Sequence, residues 1–282
     1  MKEKIFIVAE LGINHNGDIN IAKEIIKKSA DAGVDAVKFQ KRSIERVYTK
    51  EELDKSRESP FGSTNREQKE GLEFNQEEYD EIDRYCKEIG IEWYASCWDL
   101  ESVEFIKKYN CKYNKIPSAR LNHFELLKEI AKQQKYTFIS TGMSLLPEIK
   151  LAVDIFKYYK CPFELLHCNS SYPCPDEDLN MLMIPELRSI FHCKVGYSGH
   201  SPGITDAVIA AVLGATSIEK HVTLDRTIYG TDQPASLEIH GLIKVVEYIR
   251  YVEKALGDGV KKITELENKV RQKLWRIEDV RQ

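Results

Sequence analysis

The sequence predicts a single-domain (β/α)8 TIM barrel. Three observations carry the prediction. Eight short apolar runs alternate with longer amphipathic stretches, the first strand–helix turn lacks a glycine-rich phosphate loop, and nearly every apolar run ends in side chains able to bond a ligand. A length of 282 residues suits one such barrel.

The first strand is IFIVA (5–9). INIAKEIIKKSADAG follows as a helix, with Ile21, Ala22, Ile25, Ile26 and Ala30 near helical spacing, Asp18 as N-cap and Gly33 as stop. The later strands are DAVKF (35–39), IEWYAS (91–96), YNKI (113–116), TFIS (137–140), FELLHC (163–168), KVGYS (194–198) and TSIEKH (216–221). Helices are expected at NQEEYDEIDRYCKEIG (75–90), LNHFELLKEIAKQQ (121–134) and LEIHGLIKVVEYIRYVEKALG (237–257). A doubly wound sheet is the main alternative, but it calls for GxGxxG after the first strand, where this chain has ELGINHNGD. The barrel is assigned to residues 1–260. A long connection at 41–74 either builds the site or is a surface excursion, and a charged tail or helix fills 261–282.

Composition narrows the class. Hydrophobic residues are 42% and charged ones 30%, which supports a folded core. The net charge of -4 without a basic run argues against nucleic acid. MKEKIFIVAE is too short for a signal peptide or a membrane span. Seven cysteines without a CxxC pair read as reduced, mostly buried thiols, so a cytoplasmic location is expected.

The stretch TSIEKHVTLD (216–225) poses the functional question, because Glu219, Lys220 and His221 fall where a strand should be driest. A barrel answers it, since catalytic groups project from the C-terminal strand ends. Those ends carry Glu10, Lys38, Gln40, Ser96, Lys115, Ser118, Ser140, Thr141, Asn169, Tyr172, Ser198, His200, Glu219 and His221. His200 and His221 end adjacent strands and suit one cation of the Mn²⁺, Fe²⁺, Co²⁺ or Zn²⁺ type; the bland reading is two histidines hydrogen-bonded in place. Glu219 is a ligand, a supporting group or a partner of Lys220. Lys38 and Lys115 with Ser118, Ser140 and Ser198 suit a small polyanion, although each alone could be a strand-end cap. His15 reads equally well as part of a turn or of a site.

Seven motifs in order, VAELGINHNGD, VDAVKFQ, NKIPSA, ISTGMS, LLHCNSSYPCP, VGYSGHSPG and IEKHVTLDR, resemble the sialic acid (N-acetylneuraminate) synthase family over roughly residues 4–260. The resemblance implies a barrel transferase that condenses phosphoenolpyruvate with an open-chain N-acylmannosamine, such as N-acetylmannosamine, to a nine-carbon 2-keto acid and phosphate. It implies a divalent metal, Mn²⁺ foremost with Mg²⁺ or Co²⁺ as substitutes, held by His200 and His221. Phosphoenolpyruvate is expected at Lys38, Ser96, Lys115, Ser118, Ser140 and Ser198, with the sugar at Glu10, Gln40, Tyr172 and Asp232. Glu10, Lys38 and Lys115 are the expected catalytic groups.

Departures cluster on the sugar side. Arg120 stands where relatives often have glutamate, Ser96 and Trp98 stand in ASCWD where STPF is commoner, and Gln233 replaces a frequent histidine. The family's C-terminal antifreeze-like domain, which contributes an arginine to the partner subunit's site, has no counterpart in VRQKLWRIEDVRQ (270–282), so Arg57 or Arg120 is expected to substitute, or that contact is dispensed with. A homo-oligomer through the outer helices is compatible with the barrel. Two rivals stand beside this reading: a 3-deoxy-ulosonate synthase using a non-acylated or phosphorylated aldose, for which Arg57, Arg66 and Arg120 are the relevant basic residues, and a non-catalytic sugar-binding barrel.

Overall fold

A computed structural model describes residues 4–275. Its centre is a closed parallel barrel of β1 (Phe6–Gly12), β2 (Ala36–Lys41), β3 (Glu92–Cys97), β4 (Tyr113–Ile116), β5 (Tyr136–Ser140), β6 (Phe163–His167), β7 (Lys194–Gly199) and β8 (Ser217–Thr223). Strands pair in chain order, and β8 returns to β1 with Glu10 opposite His221. Each strand is followed by its helix: α1 (Ile19–Ala32), α2 (Gln76–Ile89), α3 (Leu100–Lys107), α4 (Phe124–Lys132), α5 (Leu146–Tyr158), α6 (Met183–Phe191), α7 (Thr205–Val212) and α8 (Ile239–Ala255). A further helix, α9 (Glu265–Leu274), follows the barrel; residues 276–282 of the expected tail lie outside the described residues.

Local chemistry sets the boundaries. The Asp18 carboxylate accepts from the amides of Asn20 and Ile21 at the start of α1, and Gly33 ends it at φ 88°. Asn75 and Glu78 form a reciprocal cap on α2, which Gly90 terminates in the left-handed conformation. Every expected strand forms. β1 runs on to Gly12, so Glu10 lies within the strand rather than beyond it.

The strand period of two sorts the barrel interior into layers. The lower layer is aromatic: Phe6 packs on Tyr113 with centroids 5.0 Å apart, and Phe138 lies 5.7 Å from both Phe6 and Tyr94. Two residues further along the same strands, Tyr94 gives way to Ser96, Tyr113 to Lys115 and Phe138 to Ser140. Register keeps this polar layer level, with Gln40 opposite Ser96, Ser96 opposite Lys115 and Ser198 opposite Glu219. The barrel is thus plugged below and polar above.

The 41–74 connection is not a plain loop. It contains the short helices Ile44–Val47 and Lys50–Leu53, a hairpin of Ser56–Ser59 with Gly62–Thr64, and the helix Asn65–Leu72. Glu73 anchors it by contacting Lys41 and Arg42, each at 3.3 Å, and Asp99 accepts from the Ser43 amide at 2.7 Å. His15 belongs to this packing: its ring is buried and stacks 4.0 Å from Phe74, while Nδ1 accepts from the Gly17 amide, so its role is structural. No helix among the described residues is long and apolar enough to cross a membrane.

Candidate active site

The polar layer opens into a cavity of about 600 Å³ at the C-terminal mouth of the barrel. The residues assigned from the sequence to phosphoenolpyruvate, sugar and metal line it, except Asp232, while the strand-end residues Thr141 and Asn169 line a neighbouring cavity. Asp232 stands behind His221, its Oδ2 3.6 Å from His221 Nδ1, and lines an adjoining cavity instead.

At the floor lies a row of buried charge. Glu219 spans Lys115, at 3.0 and 3.1 Å to its two oxygens, and Lys38 at 3.4 Å; it also accepts from Ser198 Oγ at 2.9 Å. Burial alone would favour protonated Glu219, but Lys115 and Lys38 outweigh it and hold the carboxyl well below its ordinary value. Lys38 continues the row to Glu10 Oε2 at 3.1 Å and donates to Ser96 at 2.9 Å. Burial opposes its charge, but Glu10 and Glu219 raise its pKa. Lys115 differs: burial wins and lowers its pKa, despite Glu219. Glu10 is pushed up to about 7, chiefly by burial, against the pull of Lys38. The Gln40 carboxamide donates to it at 2.8 Å.

Above Lys115 the hydroxyls gather. Ser118 Oγ accepts from the Gly142 amide at 3.1 Å and lies 3.2 Å from Cys168 Sγ. A Cβ at Gly142 would come within 2.8 Å of Ser118 Oγ and 2.3 Å of Ser170 Oγ, so glycine is what lets this backbone approach the hydroxyls.

His200 and His221 face each other with ring centroids 5.4 Å apart. The His200 Nδ1 lies 2.5 Å from the Asn169 carbonyl, which can only accept; Nδ1 therefore carries the proton and Nε2 presents a lone pair, met by the Tyr172 hydroxyl at 2.7 Å. Burial lowers the His200 pKa to about 4 and that of His221 well below its ordinary value, so both rings are neutral. His221 Nδ1 is buried without a hydrogen bond. Two neutral imidazoles, one holding its lone pair to a Tyr172 hydroxyl that a cation could displace and one with an unbonded Nδ1, fit a divalent cation in a cavity with room for water or substrate; among the described residues no cluster of three or more His, Cys, Asp or Glu is arranged to hold one without help from ligand or solvent.

Lys220 is not Glu219's partner. It points to the opposite face of β8, toward α7, where its ammonium meets Asp206 and the Ser201 carbonyl, both at 2.8 Å. Of the arginines suggested by the sequence, Arg120 stacks over Trp98 at 5.6 Å and donates to the Val47 carbonyl, Arg57 lines the adjoining cavity, and Arg66 pairs with Glu45, Asp54 and Glu70. Sequence reasoning passed over Arg42, which bonds the Gln40 carboxamide and stacks 4.5 Å over Trp98. The strand period contained the signal: Lys38, Gln40 and Arg42 are spaced by two.

The NeuB family profile matches residues 25–261. The chain belongs to the NeuB family. It is therefore a phosphoenolpyruvate-dependent synthase of the transferase type. It is 38% identical to the human N-acetylneuraminate-9-phosphate synthase, over 95% of this chain and 76% of that protein. It is 36% identical to the N,N'-diacetyllegionaminic acid synthase of Campylobacter jejuni, over 95% and 82%. The crystal structure of an N-acetylneuraminic acid synthetase from Leptospira borgpetersenii superposes with a TM-score of 0.85 at 33% identity, covering 96% of this chain and 93% of that one. A 3-deoxyheptulosonate-phosphate synthase type barrel from Thermotoga maritima, at 14% identity and TM-score 0.71, shares the fold.

Proposed function

We propose that this NeuB-family barrel condenses phosphoenolpyruvate with an open-chain N-acylmannosamine to a nine-carbon 2-keto sugar acid and inorganic phosphate, in the cytoplasm. The observation that carries the reading is the buried Lys38–Glu219–Lys115 row beneath Ser118, Ser140 and Ser198. Two ammonium groups and several hydroxyls suit the phosphate and carboxylate of a small dianionic enol ester, and Glu219 fixes both lysines in position before it arrives. The chain's free thiols fit the location.

His200 and His221 would hold a divalent cation, Mn²⁺ foremost with Mg²⁺ or Co²⁺ as substitutes, which polarises the acceptor's aldehyde oxygen when bound. The chain does the rest. Lys38 and Lys115 orient phosphoenolpyruvate so that its C3 faces the aldehyde carbon. The new C–C bond forms there, the aldehyde oxygen gains a proton and becomes a hydroxyl, and C2 is left electron-poor. Water adds at C2 and loses a proton; the C2–O bond to phosphate then breaks as the new C2 hydroxyl gives its second proton to the departing phosphate, leaving the ketone and inorganic phosphate. Glu10, titrating near 7, holds or releases a proton at neutral pH and is the group assigned to that water. Gln40 and Tyr172 face the sugar, and Asp232 reaches it from behind His221.

The test is phosphate release with Mn²⁺ and product mass, comparing N-acetylmannosamine and its 6-phosphate with mannose and mannose 6-phosphate. Turnover that requires the N-acyl group is expected. Equal turnover of the non-acylated sugars, or none with any of them, overturns the acceptor assignment.

A further inference from the structure

A second, partly open cavity of about 480 Å³ lies under the 41–74 segment and beside the first. Two side chains join them. Asp232 lines the second cavity while standing 3.6 Å from His221, and Arg42 lines it while bonding Gln40 and stacking on Trp98, both of which line the first. The second cavity therefore begins where a sugar lying across His221 and Gln40 would end.

Its walls carry an excess of positive charge. Arg42, Arg57 and Lys69 all face it. Glu73 is divided between Lys41 and Arg42, and Arg42 Nε is buried with no hydrogen-bond partner. Among the described residues, no carboxylate comes within ion-pair distance of Arg57 or Lys69. Arg57 reaches only Asn65 Oδ1, at 3.4 Å, and the Lys69 ammonium sits 4.1 Å over the Tyr48 ring. Burial lowers the Lys69 pKa, and the fields of Arg42 and Arg57 lower it further. Asp232 and Glu73 are the carboxylates among the cavity's lining residues. Three cations share one cavity, offset by Glu73 and Asp232 in its lining and by the field of Glu52, and a dianion would relieve their remaining repulsion.

We propose that this cavity is a phosphate-monoester subsite: the acceptor carries a phosphate on the end remote from its aldehyde, gripped by Arg57, Lys69 and the free edge of Arg42. Planar guanidinium groups match two phosphate oxygens at once, and the lysine adds a point charge. The proposal rests on the condensation reading above and specifies its substrate as a six-carbon N-acyl sugar 6-phosphate, whose nine-carbon product keeps the phosphate at its far end. The 41–74 segment is then the element that sets acceptor choice.

The experiment measures kcat/KM for N-acetylmannosamine and for its 6-phosphate, at saturating phosphoenolpyruvate and Mn²⁺, in the wild type and in Arg57→Ala, Lys69→Ala and the double variant. The wild type is expected to prefer the 6-phosphate by about 100-fold, the worth of two charge-assisted hydrogen bonds at roughly tenfold each. Each single variant loses about tenfold on the 6-phosphate through KM, and the double variant about 100-fold, while the free sugar changes by less than about threefold. A wild type that prefers the free sugar, or variants that slow both acceptors alike, overturns the subsite and leaves the condensation standing. If neither sugar turns over, the condensation reading fails, and calorimetry with mannose 6-phosphate against mannose decides the subsite alone. Binding of the phosphate ester that disappears in the double variant sustains it, and equal or absent binding overturns it.

Discussion

Strand β8 buries charge on both faces, and the two sets are arranged to different ends. On the outer face, Lys220 has three partners: Asp206, the Ser201 carbonyl and the Ser201 hydroxyl. Asp206 in turn accepts from Tyr197 at 2.8 Å. These groups come from the end of β7 and from α7, and they bolt that helix to the sheet. On the inner face, Glu219 and His221 sit one residue either side of Lys220, but they line a cavity, and His221 Nδ1 has no hydrogen bond at all. Both charged groups are bonded to protein, but to different ends: the bonds of Lys220 hold a helix to the sheet, whereas those of Glu219 hold Lys115 and Lys38 at the edge of an open cavity, beside a neutral His221. The row Glu219–Lys220–His221 is improbable for a strand only until its two faces are separated.

The comparison can be broken by substitution on each face. The largest effect is expected for His221→Ala, which removes one of two imidazoles: phosphate release should fall to background and tightly bound metal, read by elemental analysis, should be lost, with the circular dichroism spectrum unchanged. Next comes Glu219→Gln. It keeps the shape but removes the charge that seats Lys38 and Lys115, and it should lower kcat/KM for phosphoenolpyruvate about 100-fold. An inner-face variant that kept its activity, or one that lost its fold together with its activity, would reverse the assignment. On the outer face, Asp206→Ala strands the Lys220 ammonium and should cost about 3–5 kcal/mol in denaturant unfolding. Its turnover, measured well below the melting temperature, should stay within about twofold of wild type.

How much of this was legible beforehand follows the same division between strand and segment. Lys38, Ser96, Lys115, Ser140, Ser198, His200 and His221 lie on strands or immediately beyond them, where the pleat alone fixes which way a side chain points, so reading strand ends was enough to collect them. Arg42, Arg57 and Lys69 come together only because the 41–74 segment folds into helices and a hairpin held by Glu73, Asp99 and Phe74. No periodicity in the sequence announces that packing, and Arg57 was singled out both as a substitute arginine and as a basic residue for a phosphorylated aldose, without the neighbours that surround it. Asp232 shows the same limit: it follows a turn rather than a strand, and it emerged behind His221 instead of in the main cavity. Glu219 was visible as an oddity, but its partner across the barrel, Lys115, is separated from it by 104 positions in the chain.

The smallest and most discriminating expectation concerns pH, because the faces should differ there too. Glu10 titrates near 7 in the free protein, raised chiefly by burial and by the charge of Glu219, and restrained by Lys38 and Gln40. As pH falls through 7 its carboxylate takes a proton and can no longer accept one from water. If that carboxylate is the working form, kcat/KM should fall about tenfold per unit on the acid side, a limb Glu10→Gln should flatten at the lower level. Glu219 contributes no limb there, since its neighbouring lysines keep it ionised far below this range. On the alkaline side Lys115, lowered by burial, loses its proton earlier than an ordinary lysine, so the rate should decline again; burial lowers Lys220 as well, so circular dichroism over the same range separates loss of turnover from loss of the outer pair. An acid limb that survives Glu10→Gln would move the proton-handling role to another inner-face group, and one that coincides with loss of the circular dichroism signal would show that the profile reports unfolding rather than chemistry.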